Sequence, residues 1–136
     1  MNLSPHFTLQ EFLASDTATA QGIDNTPDDQ SCQNLSRVAQ VMEQVRILLG
    51  SCPITITSGY RCPALNAAIN GAENSAHLSG LAADFVCAGY TVTGVYDLLI
   101  PYIPVFGIDQ LIWEYGNWVH LGLSPYDPRL QYFEMV

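Results

Sequence analysis

An acidic residue in the middle of an apolar run is the feature that most restricts how this chain can fold. Asp84 lies within residues 81–87, Leu-Ala-Ala-Asp-Phe-Val-Cys, a run with the length and composition of a buried strand. A buried carboxylate costs several kcal/mol or more unless it is paired or bound to a metal. The chain has no lysine and only four arginines, so cationic side chains are scarce. The run therefore predicts a core strand beside a polar site and favours a metal as the partner of Asp84.

Two of the three histidines can complete such a site. His77 precedes Asp84 by seven residues, and His120 lies in a second apolar stretch, Trp118-Val-His120. A His/Asp/His set leaves one position of a tetrahedral zinc ion open for water, which is typical of catalytic rather than structural zinc. Taken singly, each histidine is more often a hydrogen-bonded core residue, and Asp84 could cap a backbone group. The combination predicts a Zn²⁺ site that supports hydrolysis.

The order of the predicted elements indicates an α+β fold. Thr8 and Glu11 form a capping box for a short helix that ends near Ala14. Apolar residues at helical spacing then predict a long helix over residues 33–49. The later predicted elements are strands over 54–57 and 81–87, helices over 63–69 and 92–100, and a hairpin of 110–114 with 118–121. N-terminal helices on a small, mainly antiparallel sheet are expected, in a single domain over residues 1–136.

The predicted hairpin places an acid beside His120. If residues 115–117 form the loop, Glu114 faces Trp118 and Ile112 faces His120 across the two strands. Glu114 and His120 are then diagonal neighbours on one face, about 7–8 Å apart at Cα. A carboxylate there can serve as the general base on a metal-activated water. The alternative is a solvated residue at a turn.

Arg61 is the candidate for binding negative charge. It lies in a loop between a predicted strand and a predicted helix, where functional side chains are often presented. Its guanidinium could hold a substrate carboxylate through two hydrogen bonds, or stabilise an oxyanion. An ion pair with a local acid such as Glu73 explains this residue equally well.

Composition excludes several classes of partner. The net charge of −9 argues against nucleic acid and against an anionic membrane. No apolar run reaches the roughly 18–20 residues of a membrane span. Residues 1–6 contain neither the basic residues nor the apolar block of a secretory signal, so synthesis in the cytoplasm is expected. The expected protein is a monomer with no membrane partner.

The four cysteines are expected to be free thiols. None of them forms a Cys-x-x-Cys pair, which argues against a thiolate zinc site. Without a secretory signal, reduced and partly buried thiols are the simplest expectation. A disulfide between Cys62 and Cys87 is the alternative.

Several spaced motifs of this chain resemble the zinc D-Ala-D-Ala carboxypeptidases. The motifs are Ser58-Gly-Tyr-Arg61, Ala64-Leu-Asn66, Ser75-x-His77-x-x-Gly80-x-Ala82-x-Asp84 and Trp118-Val-His120. The stretches 7–12, 22–27 and 109–114 are similar to a short, single-domain branch often found in phages and prophages. The resemblance implies the small Hedgehog/DD-peptidase fold, with His77, Asp84 and His120 as zinc ligands and Arg61 as a catalytic arginine.

The chain departs from this family at the general base. Tyr115 stands where secreted actinomycete enzymes carry a catalytic histidine. Asn117 stands where vancomycin-resistance dipeptidases and related endolysins carry a glutamate. Glu114, six residues before His120, is the nearby acid, and this spacing is similar to the Hedgehog arrangement.

The resemblance implies hydrolysis of peptide bonds in peptidoglycan stem peptides next to D-alanine, by a carboxypeptidase or an endopeptidase. Glu114 is then the general base and the stem peptide the partner. The resemblance also implies a lytic role, as an endolysin released through a holin or as a virion-associated enzyme. The alternative is a non-catalytic zinc-binding module of the same fold with a binding or structural role, because Hedgehog keeps the zinc site without established peptidase activity.

Overall fold

The computed structural model describes residues 1–136 and confirms a mixed α+β architecture. The helices are α1 (Leu9–Leu13), α2 (Asp16–Gln21), α3 (Asp29–Leu48), α4 (Pro63–Ala68), α5 (Val92–Leu99) and α6 (Ile103–Phe106). The strands are β1 (Asn2–Ser4), β2 (Phe7–Thr8), β3 (Ile54–Ser58), β4 (Ala82–Cys87), β5 (Gln110–Glu114), β6 (Trp118–Gly122) and β7 (Gln131–Met135). Short 3₁₀ helices cover Ala76–Ser79 and Ile100–Tyr102.

Five strands form one sheet in the order β3–β4–β6–β5–β7. Neighbouring strands are antiparallel except β5 and β7, which run parallel. Strand β4 is therefore interior to the sheet, as predicted for the run that contains Asp84. Strands β1 and β2 pair in a separate two-stranded sheet.

The two faces of the sheet have different roles. Alternation along β4 and β6 directs Phe85, Val119 and Leu121 into the hydrophobic core. The intervening residues Asp84 and His120 therefore lie on the opposite face. The sheet thus separates a packed core from a polar site.

Helix α3 contributes more residues to that core than any other element. Its buried stripe has the predicted helical spacing, and its fully buried apolar members are Leu35, Val38, Ala39, Met42, Val45 and the C-cap Leu49. The helix begins at Asp29, four residues before the predicted start, because the Asp28 side chain caps it by accepting from the Ser31 N–H at 2.7 Å. Neither α3 nor any other helix is long and apolar enough to cross a membrane.

Strands β1, β2 and β7 and helices α2 and α6 were not predicted from the sequence. Of these, α2 and β7 contribute to the site. Helix α2 is capped by Ser15, whose Oγ accepts from the Ala18 N–H at 3.1 Å, and it buries only Ala18. Strand β7 has no buried residue at all. Both lack the apolar periodicity that indicates a helix or a strand, so their local patterns resemble loops.

All four cysteine thiols are free, as expected, and the alternative disulfide between Cys62 and Cys87 is not formed. Cys62 caps α4 instead, because its Sγ accepts from the Leu65 N–H at 3.4 Å. Cys87 is buried in the hydrophobic core, and burial raises the pKa of its thiol. None of the four thiols belongs to a group of side chains that could hold a metal ion.

An ion pair attaches β7 to the rest of the sheet. The Asp109 carboxylate accepts from the backbone N–H of Arg129 at 2.7 Å and from its Nη2 at 2.6 Å. The Asp109 carbonyl also accepts from the Gln131 N–H at 3.0 Å. The Arg129 side-chain hydrogen bonds, with its backbone N–H, hold the pKa of Asp109 below its ordinary value.

We expect Asp109→Asn to lower the free energy of unfolding by about 1–2 kcal/mol at neutral pH, because Arg129 loses a charged partner while water screens its exposed guanidinium. A lowered folded-state pKa means that this contribution is fully present above the unfolded-state pKa, about 3.9. It is lost as the pH falls through the folded-state pKa. Urea unfolding at neutral and strongly acidic pH should show the difference between wild type and variant shrinking in acid. An equal difference at both would contradict this.

Candidate functional site

The register of the sheet places two predicted ligands side by side. Asp84 of β4 pairs directly with His120 of β6, which in turn pairs with Ile112 of β5. His77 reaches the same face from the 3₁₀ helix that precedes β4. Its Nε2 lies 3.1 Å from Oδ1 of Asp84, and Nδ1 of His120 lies 2.9 Å from the same oxygen.

These three side chains form a buried cluster of metal-binding type. Ligand atoms of His77, Asp84 and His120 all lie within 4.8 Å of one another. The three residues are only 2%, 1% and 7% exposed. Two imidazole nitrogens and one carboxylate oxygen are a donor set that suits zinc.

A backbone carbonyl fixes the orientation of the His77 ring, so that its Nε2 faces Asp84. Nδ1 of His77 lies 2.6 Å from the carbonyl oxygen of Gly59, which can only accept, so Nδ1 carries the proton and donates. The other ring nitrogen, Nε2, is therefore the one that faces Asp84 and can serve as a metal ligand. A backbone carbonyl that fixes the far nitrogen is also the usual outer contact of a histidine ligand.

Gly59 supplies that carbonyl because the loop packs against α1 at very close range. The Tyr60 N–H donates to the Phe12 carbonyl at 2.8 Å. A Cβ on Gly59 would stand 2.5 Å from the same Phe12 oxygen, so only glycine fits there. The glycine thus positions the acceptor that orients His77.

Arg61 is bound to the cluster, and the alternative ion pair with Glu73 is not formed. Its Nη2 donates to Oδ2 of Asp84 at 3.3 Å. Its Nε donates to Oγ of Ser58 at 3.1 Å, and its Nη1 donates to Oδ1 of Asn66 at 3.3 Å. Three of the five guanidinium N–H groups are therefore engaged inside the site.

The charges of the cluster keep Asp84 ionised. Burial on its own raises the pKa of Asp84, but His77 and the hydrogen bonds from His120 and His77 outweigh it, and the pKa lies well below its ordinary value. Burial lowers the pKa of Arg61, while Asp84 and Glu114 oppose that shift. An ionised carboxylate is the form that binds a metal.

Glu114 lies beside the cluster, in the hairpin register expected from the sequence. It pairs with Trp118, while Ile112 pairs with His120. Its Oε1 is 3.6 Å from Nδ1 of His120, and its Oε2 accepts from the Trp118 indole at 3.0 Å. The indole therefore holds one oxygen while the other faces the cluster. Glu114 does not belong to the group of mutually close ligand atoms.

These residues line a cleft of about 690 Å³. The lining includes Ser15, Asp16 and Thr17, at the start of α2. Tyr115 of the hairpin loop and Met135 of β7 also line the cleft. The contributions of α2 and β7 were not predicted from the sequence. The Ser15-Asp16 pair, a common start of a helix, was the one available signal for α2.

Two asparagines fix the loops of the site, and neither role was predicted from the sequence. Asn25 donates to the carbonyls of Leu13 and Tyr60, both at 3.0 Å, and accepts from the Cys62 N–H at 2.8 Å. It thereby holds the backbone on both sides of Arg61. Asn66 accepts from the Arg61 side chain and donates to the Ala72 carbonyl at 3.0 Å. Both asparagines lie in stretches that carry the family resemblance, Ala64-Leu-Asn66 and residues 22–27, and that was the available signal for them.

The region that forms the site matches a known family. A family model described as Peptidase M15 matches residues 5–122. The matched span contains all five predicted site residues and ends with β6, so β7 and its Met135 lie beyond it. No curated protein matches this chain.

Proposed function

This chain belongs to the peptidase M15 family, and from that membership we propose that it is a zinc peptidase of the Hedgehog/DD-peptidase fold. The proposed reaction is hydrolysis of peptide bonds next to D-alanine in peptidoglycan stem peptides. The observation that carries the proposal is the buried convergence of His77, Asp84 and His120 in the cleft, with Glu114 beside them.

The residues present fit a zinc ion. His77 through Nε2, His120 through Nδ1 and Asp84 through Oδ1 would hold it, and the Gly59 carbonyl and Arg61 would orient two of these ligands. Bound zinc supplies Lewis-acid activation of water and of the scissile carbonyl. Three protein donors satisfy the pattern of a catalytic rather than a structural site.

Glu114 is the residue positioned to move the proton. Its Oε1 faces the cluster and would accept a proton from the attacking water, then deliver it to the leaving amine. The hydrogen bond from Trp118 to Oε2 keeps the carboxylate in that orientation. The general base is thus held by its own cross-strand partner.

Arg61 is positioned to stabilise negative charge. Two of its five N–H groups remain after the contacts with Ser58, Asn66 and Asp84. These donors can stabilise charge that develops on the carbonyl oxygen during attack. Asn25 and Asn66 would keep the guanidinium in place.

Metal analysis combined with a release assay tests the proposal. We expect about one zinc ion per chain in the isolated protein, and release of new amino groups from purified stem peptides. Activity should disappear with a chelator and return with added zinc. A zinc-loaded protein that binds stem peptides but releases no amine would instead favour the non-catalytic zinc module.

A further inference from the structure

Strand β7 adds side chains to the face of the sheet that carries the ligand cluster. Ile112 of β5 pairs with both His120 of β6 and Phe133 of β7. Paired residues project from the same face of a sheet, so Phe133 lies in line with the cluster. Neighbouring strands are about 4.8 Å apart, which places the Cα atom of Phe133 about 10 Å from that of His120. The family match ends at residue 122, so β7 lies beyond the matched region.

Three large apolar side chains remain exposed on this side of the cluster. Phe133 is 40% exposed, Met135 36% and Tyr115 53%, and we call these residues the apolar shelf. Phe133 and Met135 are two residues apart on one strand and therefore neighbours on one face. The Tyr115 N–H donates to the Met135 carbonyl at 2.9 Å, and both residues line the cleft. The shelf is therefore continuous with the cleft.

Two side-chain amides lie next to the shelf. Gln131 precedes Phe133 by two residues on the same face, and it pairs with Gln110, which lines the cleft. Nε2 of Gln110 donates to Oε1 of Gln131 at 3.0 Å. This contact leaves the N–H groups of the Gln131 side chain and the side-chain carbonyl of Gln110 free for a ligand. A purely apolar ligand would cover these groups without hydrogen-bonding them, which is unfavourable.

A pyranose sugar has the chemistry that this surface requires. Its C–H groups form an apolar face with partial positive charge, which packs on the negative face of an aromatic ring. Its hydroxyl groups both donate and accept hydrogen bonds, so they can pair with both amides. A neutral sugar also escapes the repulsion that a net charge of −9 exerts on anionic ligands.

From the exposed ring, the adjacent amides and their continuity with the cleft, we propose that Phe133 and Gln131 bind a sugar ring of the glycan strand that carries the stem peptide. This inference rests on the proposed function and names a second part of its substrate. A stem of four residues spans up to about 14 Å when extended. This reach exceeds the distance of about 10 Å between Phe133 and His120, so one molecule can occupy both the shelf and the cluster.

Two substrates test the inference: a free stem peptide, and the same peptide attached to its disaccharide. We expect kcat/KM of the zinc-loaded protein to be about three- to tenfold higher for the substrate that carries the disaccharide, the usual gain from packing on an aromatic ring. Phe133→Ala should bring this ratio close to one, whereas Phe133→Trp keeps a ring and should retain it.

Tyr132→Ala is the matched control. Tyr132 is the neighbouring residue on β7 and is 54% exposed, but it pairs with Leu111 and projects from the opposite face. The control should leave the ratio of the two substrates unchanged. A ratio of one in wild type, or an unchanged ratio in Phe133→Ala, would overturn the inference.

Direct sugar binding separates this inference from the proposed function. The metal-loaded protein is titrated with a trimer of N-acetylglucosamine, and NMR chemical shifts report the affinity. If wild type cleaves neither substrate, the proposed function fails. A trimer that binds wild type at least about threefold more tightly than Phe133→Ala still supports the inference. Equal affinity for the two proteins, or no binding to wild type, overturns it.

Gln131→Leu tests the chemistry of the occupant. Leucine removes the amide donors and enlarges the apolar surface, so a sugar should bind more weakly and an apolar ligand more tightly. Unchanged or tighter binding of the trimer to Gln131→Leu would contradict the sugar assignment. Sedimentation tests a second copy of the chain as the occupant. A wild-type dimer that Phe133→Ala dissociates would also overturn the inference.

Discussion

Glu114→Gln is expected to lower kcat for stem-peptide hydrolysis by about 10²–10⁴-fold, the usual contribution of a positioned general base. Glutamine keeps the size of the side chain and can still accept a hydrogen bond from the Trp118 indole. It cannot accept a proton from water at neutral pH. The zinc content should stay at the wild-type level, because the ligand atoms come from His77, Asp84 and His120.

Glu134→Gln is the matched control for this variant. Glu134 lies on β7 and pairs with Trp113, so it projects from the face opposite to Glu114. Its kcat and zinc content should both equal those of wild type. Full activity of Glu114→Gln on zinc-loaded protein would show that another group removes the proton. A loss of zinc would instead identify Glu114 as a ligand.

Asp84→Asn should cause the largest loss of stability of any single substitution in the site. The carboxylate is the only acid paired with Arg61, and it also contacts both histidines. Removing its charge leaves a largely buried guanidinium without compensation, which costs about 3–5 kcal/mol. The variant also loses a metal ligand, so zinc should no longer stabilise the folded state by mass action.

Urea unfolding with and without added zinc measures both effects. Wild type should gain stability when zinc is added, and Asp84→Asn should not. Asp97→Asn removes an exposed carboxylate on α5 and should change the free energy of unfolding by less than about 0.5 kcal/mol. A zinc-dependent gain of normal size in Asp84→Asn would refute the role of this residue as a ligand.

The sequence predicted the parts of the site that depend on local pattern. The run around Asp84 indicated an interior strand, and β4 is interior. The loop at 115–117 set the hairpin register, so Glu114 and His120 were expected on one face and are found there. Residue chemistry pointed to His77 as a third donor, and it lies in the same cluster.

The sequence could not identify contacts between distant segments. For Arg61 it left Glu73 and a substrate carboxylate as equal alternatives, whereas folding pairs the guanidinium with Asp84, twenty-three residues away. Nothing local to Asn25 indicates hydrogen bonds to residues thirty-five and thirty-seven positions later. Such partners are chosen by the packing of loops, which the residues nearby in sequence do not encode.

The chain's residue types and periodicities by themselves determined the α+β class, the central strand and a donor set suited to zinc, because these follow from short-range spacing and side-chain chemistry. The tertiary structure alone decided which charges meet and what lines the cleft. Helix α2 and strand β7 lack apolar periodicity, and they line the cleft only because other segments hold them there. The set of charged side chains that line the cleft is therefore a property of the folded chain.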